Sequence, residues 1–136
     1  MAELLNNKYK LEDQTPEVQA NLTKLLVAAN KVRLAWNKPM TVTSGLRTME
    51  DHIRIYKDIA QKKGIPFDES KVPKQSKHLY GKAVDIADPQ LELTAWLKGP
   101  GAKLAEEAGL YFELGNSNWV HMQIEPPASG KRWFLP

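Results

Sequence analysis

Two segments in the second half of the chain, residues 82–87 and 119–125, alternate between an aliphatic and a more polar face. Successive side chains of a strand point to opposite faces, so each segment is typical of a strand with one buried face. The predicted buried face carries Val84, Ile86, Val120, Met122 and Ile124. The opposite face carries Asp85 and His121. If the two strands pair in one sheet, these two side chains project into the same space.

The rest of the chain predicts a compact α+β arrangement around these strands. Helix-like spacing of apolar residues, with capping residues at the ends, predicts helices at 16–36, 49–63, 91–97 and 102–108. Shorter β-branched or aromatic segments predict further strands at 40–44 and 110–113. The second of these would form a hairpin with 119–125. We expect a small central antiparallel sheet with helices on its aliphatic face and a cleft on the other.

The second predicted helix contains one of the three histidines, His52. Nothing in its spacing directs His52 towards the other histidines, so its role is left open. The apolar residues of this helix predict a core-facing stripe made of Met49, Ile53, Tyr56, Ile59 and Ala60.

The remaining segments are predicted as connections within one domain that covers residues 1–136. Residues 1–14 show no periodicity and are interpreted as a polar lead-in. Residues 64–75 contain two prolines and several charges, and a loop of this length is often the rim of a site. The tail beyond Pro127 is expected to pack over the sheet edge.

Composition restricts both the partners and the metal chemistry. The chain has 136 residues, 42% hydrophobic and 26% charged, which is ordinary for a globular domain. No apolar run approaches the roughly 18 residues of a membrane span. The net charge is +3, but the basic clusters are not interleaved with aromatic residues, so we expect no nucleic-acid partner. We expect a monomer.

The absence of cysteine excludes disulfides and thiolate metal sites. Any metal ligand must therefore be His, Asp or Glu. His78 and Asp85 lie seven positions apart around a turn at Gly81, and an imidazole with a carboxylate suits zinc. A catalytic zinc typically takes three protein ligands, and His121 is the best third candidate.

The pattern Ser76-x-His78-x-x-Gly81-x-Ala83-x-Asp85, followed by Trp119-x-His121, resembles the zinc D-alanyl-D-alanine carboxypeptidase group. That group includes vancomycin-resistance-type dipeptidases, phage endolysin peptidases and the hedgehog signalling domain. The likeness covers about residues 40–136, and its first motif is the more specific. It implies a hedgehog/DD-peptidase-like fold, with Zn²⁺ bound by His78, Asp85 and His121. Such a zinc lowers the pKa of its water to roughly 7.

The resemblance also implies residues that contact the substrate. Ser44-Gly45-Leu46-Arg47 is similar to the family's Ser-Gly-aromatic-Arg stretch, whose arginine binds a substrate carboxylate. The alternative for Arg47 is an ordinary salt bridge with a surface acid. Within the first motif, Ser76 and Tyr80 are assigned to substrate binding.

The sequence departs from the family at the general base. The family commonly carries an acid three residues before the last histidine, and here that position is Asn118. Glu113, at the end of the first hairpin arm, is our candidate for the catalytic base; the alternative is a solvated strand-end acid. Glu125 shares a strand face with His121 but lies about 13 Å away along the strand. Asp88 is interpreted as a turn former.

The implied function is a zinc-dependent peptidase acting on a peptidoglycan stem peptide, at a D-Ala-D-Ala or L-Ala-D-Glu bond. A phage or prophage cell-wall lytic enzyme fits the small size. The alternatives are a zinc-retaining binding module without turnover and a phage structural component. The first residues lack a basic segment followed by an apolar one. We therefore expect no signal peptide, synthesis in the cytoplasm and action at the cell wall or periplasm after release.

Overall fold

The computed structural model describes residues 1–72 and 76–135, which form four α-helices and five β-strands. The fold is a mixed α+β arrangement around one sheet, as the sequence predicts. In chain order the elements are α1 (Pro16–Trp36), β1 (Val42–Ser44), α2 (Met49–Lys63), β2 (Ala83–Ala87), α3 (Glu92–Lys98), α4 (Ala102–Glu107), β3 (Tyr111–Glu113), β4 (Trp119–Gln123) and β5 (Trp133–Phe134).

The sheet has the strand order β1-β2-β4-β3-β5, so β4 is its central strand. The predicted pairing of β2 with β4 is confirmed: the strands are antiparallel and Asp85 lies directly opposite His121. The predicted hairpin of β3 with β4 is also confirmed. The prediction of a wholly antiparallel sheet is wrong at one edge, because the tail adds β5 parallel to β3. A strand of two residues is too short for any periodicity to reveal.

Local capping explains where the two long helices begin and end. The side chain of Thr15 accepts a hydrogen bond from the Val18 amide, and Thr48 accepts one from the Asp51 amide. At the other ends, Asn37 and Gly64 adopt left-handed backbone angles, which release the chain from the helix. These are the start and stop signals that the sequence contains.

The hydrophobic core fills the space between the aliphatic face of the sheet and the helices α1, α3 and α4. Phe112 of β3 is its largest fully buried side chain. Its other buried members from these elements are Leu22, Leu25, Ala28, Val32, Val84, Ile86, Leu93, Leu97, Ala105, Val120 and Met122. Packing helices against this face leaves the opposite face, with Asp85 and His121, turned away from the core.

Helix α2 buries the predicted stripe only in part. Ala60 is buried as predicted, whereas Met49 and Ile59 are each 39% exposed. His52, which lies outside the predicted stripe, is fully buried. The ring of His52 packs edge-on against Tyr56 at 4.9 Å between centroids. The sequence misses the burial of His52 because hydrophobic periodicity counts histidine as polar, whereas here its ring packs inside the protein.

The prediction of a polar lead-in at residues 1–14 is wrong for its first part. Leu4 and Leu5 are buried and join the core cluster. The backbone here forms successive turns, with left-handed φ angles of 55° at Asn6 and 52° at Asn7. Because neither helical nor strand spacing governs such turns, periodicity could not reveal the burial.

The predicted loop at 64–75 is described as far as residue 72, and residues 73–75 lie outside the described residues. The described part contains a 3₁₀ turn at Glu69–Lys71 that the Asp68 side chain caps, and Val72 is buried after it. Across the described residues, no helix has both the length and the apolar character that crossing a membrane requires.

Candidate metal centre

Three side chains from separate parts of the chain converge on the polar face of the sheet. His78 comes from a 3₁₀ turn at Lys77–Tyr80, Asp85 from β2 and His121 from β4. Each offers one ligand atom, and these atoms all lie within 4.8 Å of one another. Their side chains are only 6%, 13% and 10% exposed, respectively. The group that the sequence predicts is therefore brought together in the structure.

The position of His78 is set by two neighbouring turns. Gly81 ends the 3₁₀ turn with a left-handed φ of 71°, and a Cβ there would lie 2.9 Å from the Leu22 side chain. The ring Nδ1 of His78 donates to the Gly45 carbonyl at 2.9 Å. A carbonyl can only accept, so Nδ1 carries a proton and Nε2 is the ring nitrogen that faces the carboxylate. That Nε2 lies 3.4 Å from Asp85 Oδ2.

His121 is oriented from its other side by Gln123, which is 4% exposed. The amide nitrogen of Gln123 donates to the Glu125 carbonyl at 2.7 Å, so its oxygen faces His121. That oxygen accepts from His121 Nε2 at 2.9 Å. Nδ1 therefore points towards Asp85, and it lies 2.9 Å from Oδ1. Donation from the outer nitrogen to a polar partner is the usual support of a histidine metal ligand.

In the metal-free protein this group is a network of charge-assisted hydrogen bonds. Burial alone raises the pKa of Asp85, but hydrogen bonds and charge attraction from His121 and His78 outweigh it and hold that pKa well below its ordinary value. Burial alone lowers the pKa of His121, but its bond to Asp85, with smaller contributions from Gln123 and Glu113, holds that pKa above its ordinary value. Asp85 is therefore the shared partner of both histidines, and His121 is the closer of the two.

The donor set fits a divalent metal ion. In a tetrahedral site with bonds of about 2.0–2.1 Å, neighbouring donor atoms lie roughly 3.3–3.4 Å apart. The 3.4 Å between His78 Nε2 and Asp85 Oδ2 matches that spacing. His121 approaches the other carboxylate oxygen: its Nδ1 lies 2.9 Å from Asp85 Oδ1, a hydrogen-bond distance that is shorter than this spacing. Two imidazoles and one carboxylate could therefore hold a metal ion here.

His78, Asp85 and His121 are called the metal group below. Asp85 and His121 lie in the middle of a row of residues that crosses the whole sheet. Ser44 of β1 is the cross-strand partner of Asp85, which in turn lies opposite His121. Phe112 pairs with Met122, so the register places Glu113 beside His121. Glu113 then pairs with Phe134 of β5, whose ring centroid lies 6.3 Å from that of His121.

Glu113 therefore lies on the metal side of the sheet, half-buried at the end of β3. Its negative charge contributes to the raised pKa of His121. This position is compatible with the predicted role of Glu113 as general base, and that catalytic role stays a prediction. Phe134 is buried beside it and closes that end of the row, a contribution that no motif in the sequence indicated.

Arg47 lies at the opposite end of the row. Its Nε and Nη2 donate to Ser44 Oγ at 3.2 and 2.9 Å, which holds the half-buried guanidinium next to the strand of Asp85. Among the described residues, no carboxylate lies within salt-bridge distance of Arg47. The alternative for Arg47, an ordinary salt bridge with a surface acid, is therefore not found among the described residues. The role of Arg47 in substrate binding stays a prediction.

Ser76 and Tyr80 flank His78 at the two ends of its turn. The Ser76 carbonyl accepts from the Leu79 amide, and its side chain makes no capping bond. The Tyr80 carbonyl accepts from Asn21 of α1, and its ring lies 5.9 Å from the Lys82 ammonium. These contacts place Tyr80 towards α1, and substrate binding by either residue stays a prediction.

Two other acids near the motif bond to partners outside the metal group. Hydrogen bonds from Lys77 at 2.8 Å and Lys82 at 3.2 Å lower the pKa of Glu125, as expected of an ion-paired acid. Asp88 is buried and accepts from the amides of Leu93 and Thr94, so this turn former also begins α3.

Two sequence positions stand outside the metal group. The carbonyl of Asn118 accepts from the Asp88 amide at 2.9 Å, which extends the pairing between β2 and β4. His52 is fully buried on α2 and does not belong to the group of metal-ligating side chains found among the described residues. Gln123, which supports the group, shares a strand face with His121, so its spacing of two residues was a signal that the sequence did contain.

Comparison with known proteins leaves the geometry as the main guide to function. No protein-family model, curated protein or solved structure matches the chain.

Proposed function

We propose that this chain is a zinc-dependent peptidase that hydrolyses a stem-peptide bond of peptidoglycan. The convergence of His78, Asp85 and His121 on one point of the sheet is the observation that carries the proposal. The outer ring nitrogens of both histidines donate to oxygens, so their inner nitrogens are available as ligands. The resemblance of the motif to the zinc carboxypeptidase group supports the choice of metal and substrate.

Each flanking residue has a defined part in hydrolysis. Zinc, when bound, supplies a Lewis acid that makes water nucleophilic at neutral pH. Glu113, which the register places beside His121, takes the proton of the attacking water and returns it to the leaving amine. Arg47 holds a substrate carboxylate through a two-pronged contact. Phe134 covers the end of the row near Glu113 and limits access of bulk water.

The substrate class follows from Arg47 and the resemblance together. A stem peptide offers free carboxylates at both candidate bonds, D-Ala-D-Ala and L-Ala-D-Glu. The protein acts on one of these at the cell wall, as a lytic enzyme of a phage or prophage. The same chemistry serves a phage structural component that opens the wall locally.

A second candidate is a binding module that keeps zinc but has no turnover. One observation favours it: Asn118 occupies the position where the family commonly has its acid. An amide cannot accept the proton of the attacking water. The two candidates therefore differ in whether Glu113 supplies the missing base.

Purified muropeptides incubated with the zinc-loaded protein and analysed by mass test both candidates. We expect loss of one amino acid or cleavage within the stem, abolished by a chelator. Glu113→Gln is expected to lose roughly 10²–10⁴-fold in rate while keeping its zinc. Glu107→Gln, an exposed residue at the end of α4, is the matched control and keeps full activity.

The outcomes separate the alternatives. A parent protein that binds one zinc and cleaves none of the muropeptides supports the binding module. A parent protein that binds no zinc contradicts both candidates.

A further inference from the structure

The segment before the first long helix contacts the loop that supports the metal group. The side chain of Asn6 bonds the two peptide units that flank the one containing the Gly45 carbonyl: its Oδ1 accepts from the Gly45 amide, and its Nδ2 donates to the Leu46 carbonyl, both at 2.6 Å. The Leu46 amide donates in turn to the Leu4 carbonyl at 2.7 Å. Three hydrogen bonds thus fix three consecutive peptide units, from Ser44 to Arg47, and the middle unit carries the Gly45 carbonyl.

The same two stretches approach too closely for any side chain between them. A Cβ at Gly45 would lie 2.3 Å from the Leu4 carbonyl oxygen. This is a contact with backbone, so it cannot be relieved by rotating a side chain. Gly45 is therefore required here by the N-terminal segment, independently of any contact with a substrate.

The Gly45 carbonyl is also the acceptor for His78 Nδ1. The Arg47 amide donates to the His78 carbonyl at 3.1 Å, so the loop holds both the ring and the backbone of this residue. The orientation of the Gly45 peptide thus decides which ring nitrogen carries the proton and where Nε2 points.

A second anchor fixes the segment from the other side. Lys8 Nζ donates to Asp51 at the start of α2 at 2.6 Å, and the Tyr9 hydroxyl donates to the same carboxylate. Leu4 and Leu5 are buried in the core. Asn6 is therefore held between the core on one side and α2 on the other, which makes it a fixed support.

We propose that residues 1–9 position the metal centre, with Asn6 as the positioning residue that orients the Gly45 carbonyl and, through it, the ring of His78. The inference rests on the proposed function because it requires a metal at this site. It assigns to the N-terminal segment a part in metal binding, at a distance of two hydrogen bonds from the ligand.

Asn6→Ala and Asn7→Ala form a matched pair of variants. Both asparagines have left-handed backbone angles and adjacent positions, but Asn7 is exposed and only Asn6 bonds the loop. Zinc affinity is measured by competition with a chromophoric chelator, and the ligand geometry by the absorption spectrum of the Co²⁺-substituted protein. We expect Asn6→Ala to bind zinc roughly tenfold more weakly than Asn7→Ala, with a changed Co²⁺ spectrum.

Asn6→Asp keeps the acceptor for the Gly45 amide and guards against a variant that fails to fold. We expect its zinc affinity to lie between those of the parent and Asn6→Ala. Equal zinc affinity and Co²⁺ spectra for all three variants, with only a lower melting temperature for Asn6→Ala, would falsify the positioning role. A parent protein that takes up no zinc overturns the proposed function as well, so the two failures are distinguishable.

Discussion

At the scale of single residues, each histidine of the metal group depends on an oxygen that lies outside the motif. His78 donates to the Gly45 carbonyl, and His121 donates to the Gln123 side chain. These two bonds decide which nitrogen of each ring faces Asp85. The ligand motif alone therefore specifies which side chains meet, and their partners specify how they meet.

Gln123→Ala tests this dependence directly. Removing the amide leaves His121 Nε2 without its acceptor in a buried place, so the ring can turn and change tautomer. We expect zinc affinity to fall about 10–100-fold, measured by chelator competition. Gln90→Ala, at an exposed turn, is the control and should bind zinc like the parent. Unchanged affinity in Gln123→Ala would show that the ring is held without this bond.

The sequence predicts the ligands but not their supports, for a physical reason. Strand alternation places Asp85 and His121 on one face, and the structure brings them together. The acceptor of His78 is a backbone carbonyl 33 residues earlier in the chain. Every residue has a backbone carbonyl, so the type of residue does not indicate this role. The spacing of Gln123 places it on the same strand face as His121. Its supporting role is recognised only from its bond to the Glu125 carbonyl, which turns its oxygen towards His121.

At the scale of secondary structure, capping residues and hydrophobic periodicity predict those elements that local interactions determine. The ends of α1 and α2, and the antiparallel pairings of β2, β3 and β4, match expectation. Three features are not predicted: the burial of His52 on α2, the parallel strand β5 and the turns of residues 1–9. Each depends on contacts distant in the chain, which periodicity within a short window does not contain.

Asp88 illustrates an element held by one side chain. Its two carboxylate oxygens accept from the Leu93 amide, the Thr94 amide and the Thr94 hydroxyl at 2.6–3.0 Å. We expect Asp88→Ala to lower the free energy of unfolding by about 1–3 kcal/mol, because it removes a buried charged acceptor from the start of α3. Urea denaturation at neutral pH measures the change.

Asp58→Ala provides the control for the loss of a carboxylate, since Asp58 is exposed on α2. We expect a change within about 0.5 kcal/mol of the parent. Equal effects of the two substitutions would mean that the start of α3 does not depend on Asp88.

At the scale of the whole molecule, the metal group links folding stability to pH. The folded-state pKa of Asp85 is held below its ordinary value, so its contribution is present above the unfolded pKa and is lost as pH falls through the folded pKa. The folded-state pKa of His121 is raised, so its contribution is present below the unfolded pKa and is lost as pH rises through the folded pKa.

The metal-free protein should therefore gain most from this pair between about pH 4 and pH 6.5. Chemical denaturation in the presence of a chelator, repeated across pH 4–8, measures the dependence. Asp85→Asn removes the carboxylate and is expected to flatten the profile above pH 5. A parent profile that is equally flat there would contradict the coupling between Asp85 and His121.

Added zinc should reverse the trend for the same protein. Metal binding needs neutral imidazoles, so the stabilisation by zinc is expected to grow from pH 5.5 to pH 7.5. A free zinc concentration of 100 times the dissociation constant should add about 2.7 kcal/mol to the free energy of unfolding. Thermal melts with and without zinc at each pH measure it, and a zinc effect independent of pH would argue against histidine ligands.

The position of β4 has a consequence for how the protein matures. It is the central strand of the sheet, yet it is the last but one to be synthesised. A nascent chain that has not reached His121 lacks both the middle of the sheet and the third member of the metal group. The group of His78, Asp85 and His121 can therefore assemble only after β4 has been synthesised and has paired with β2.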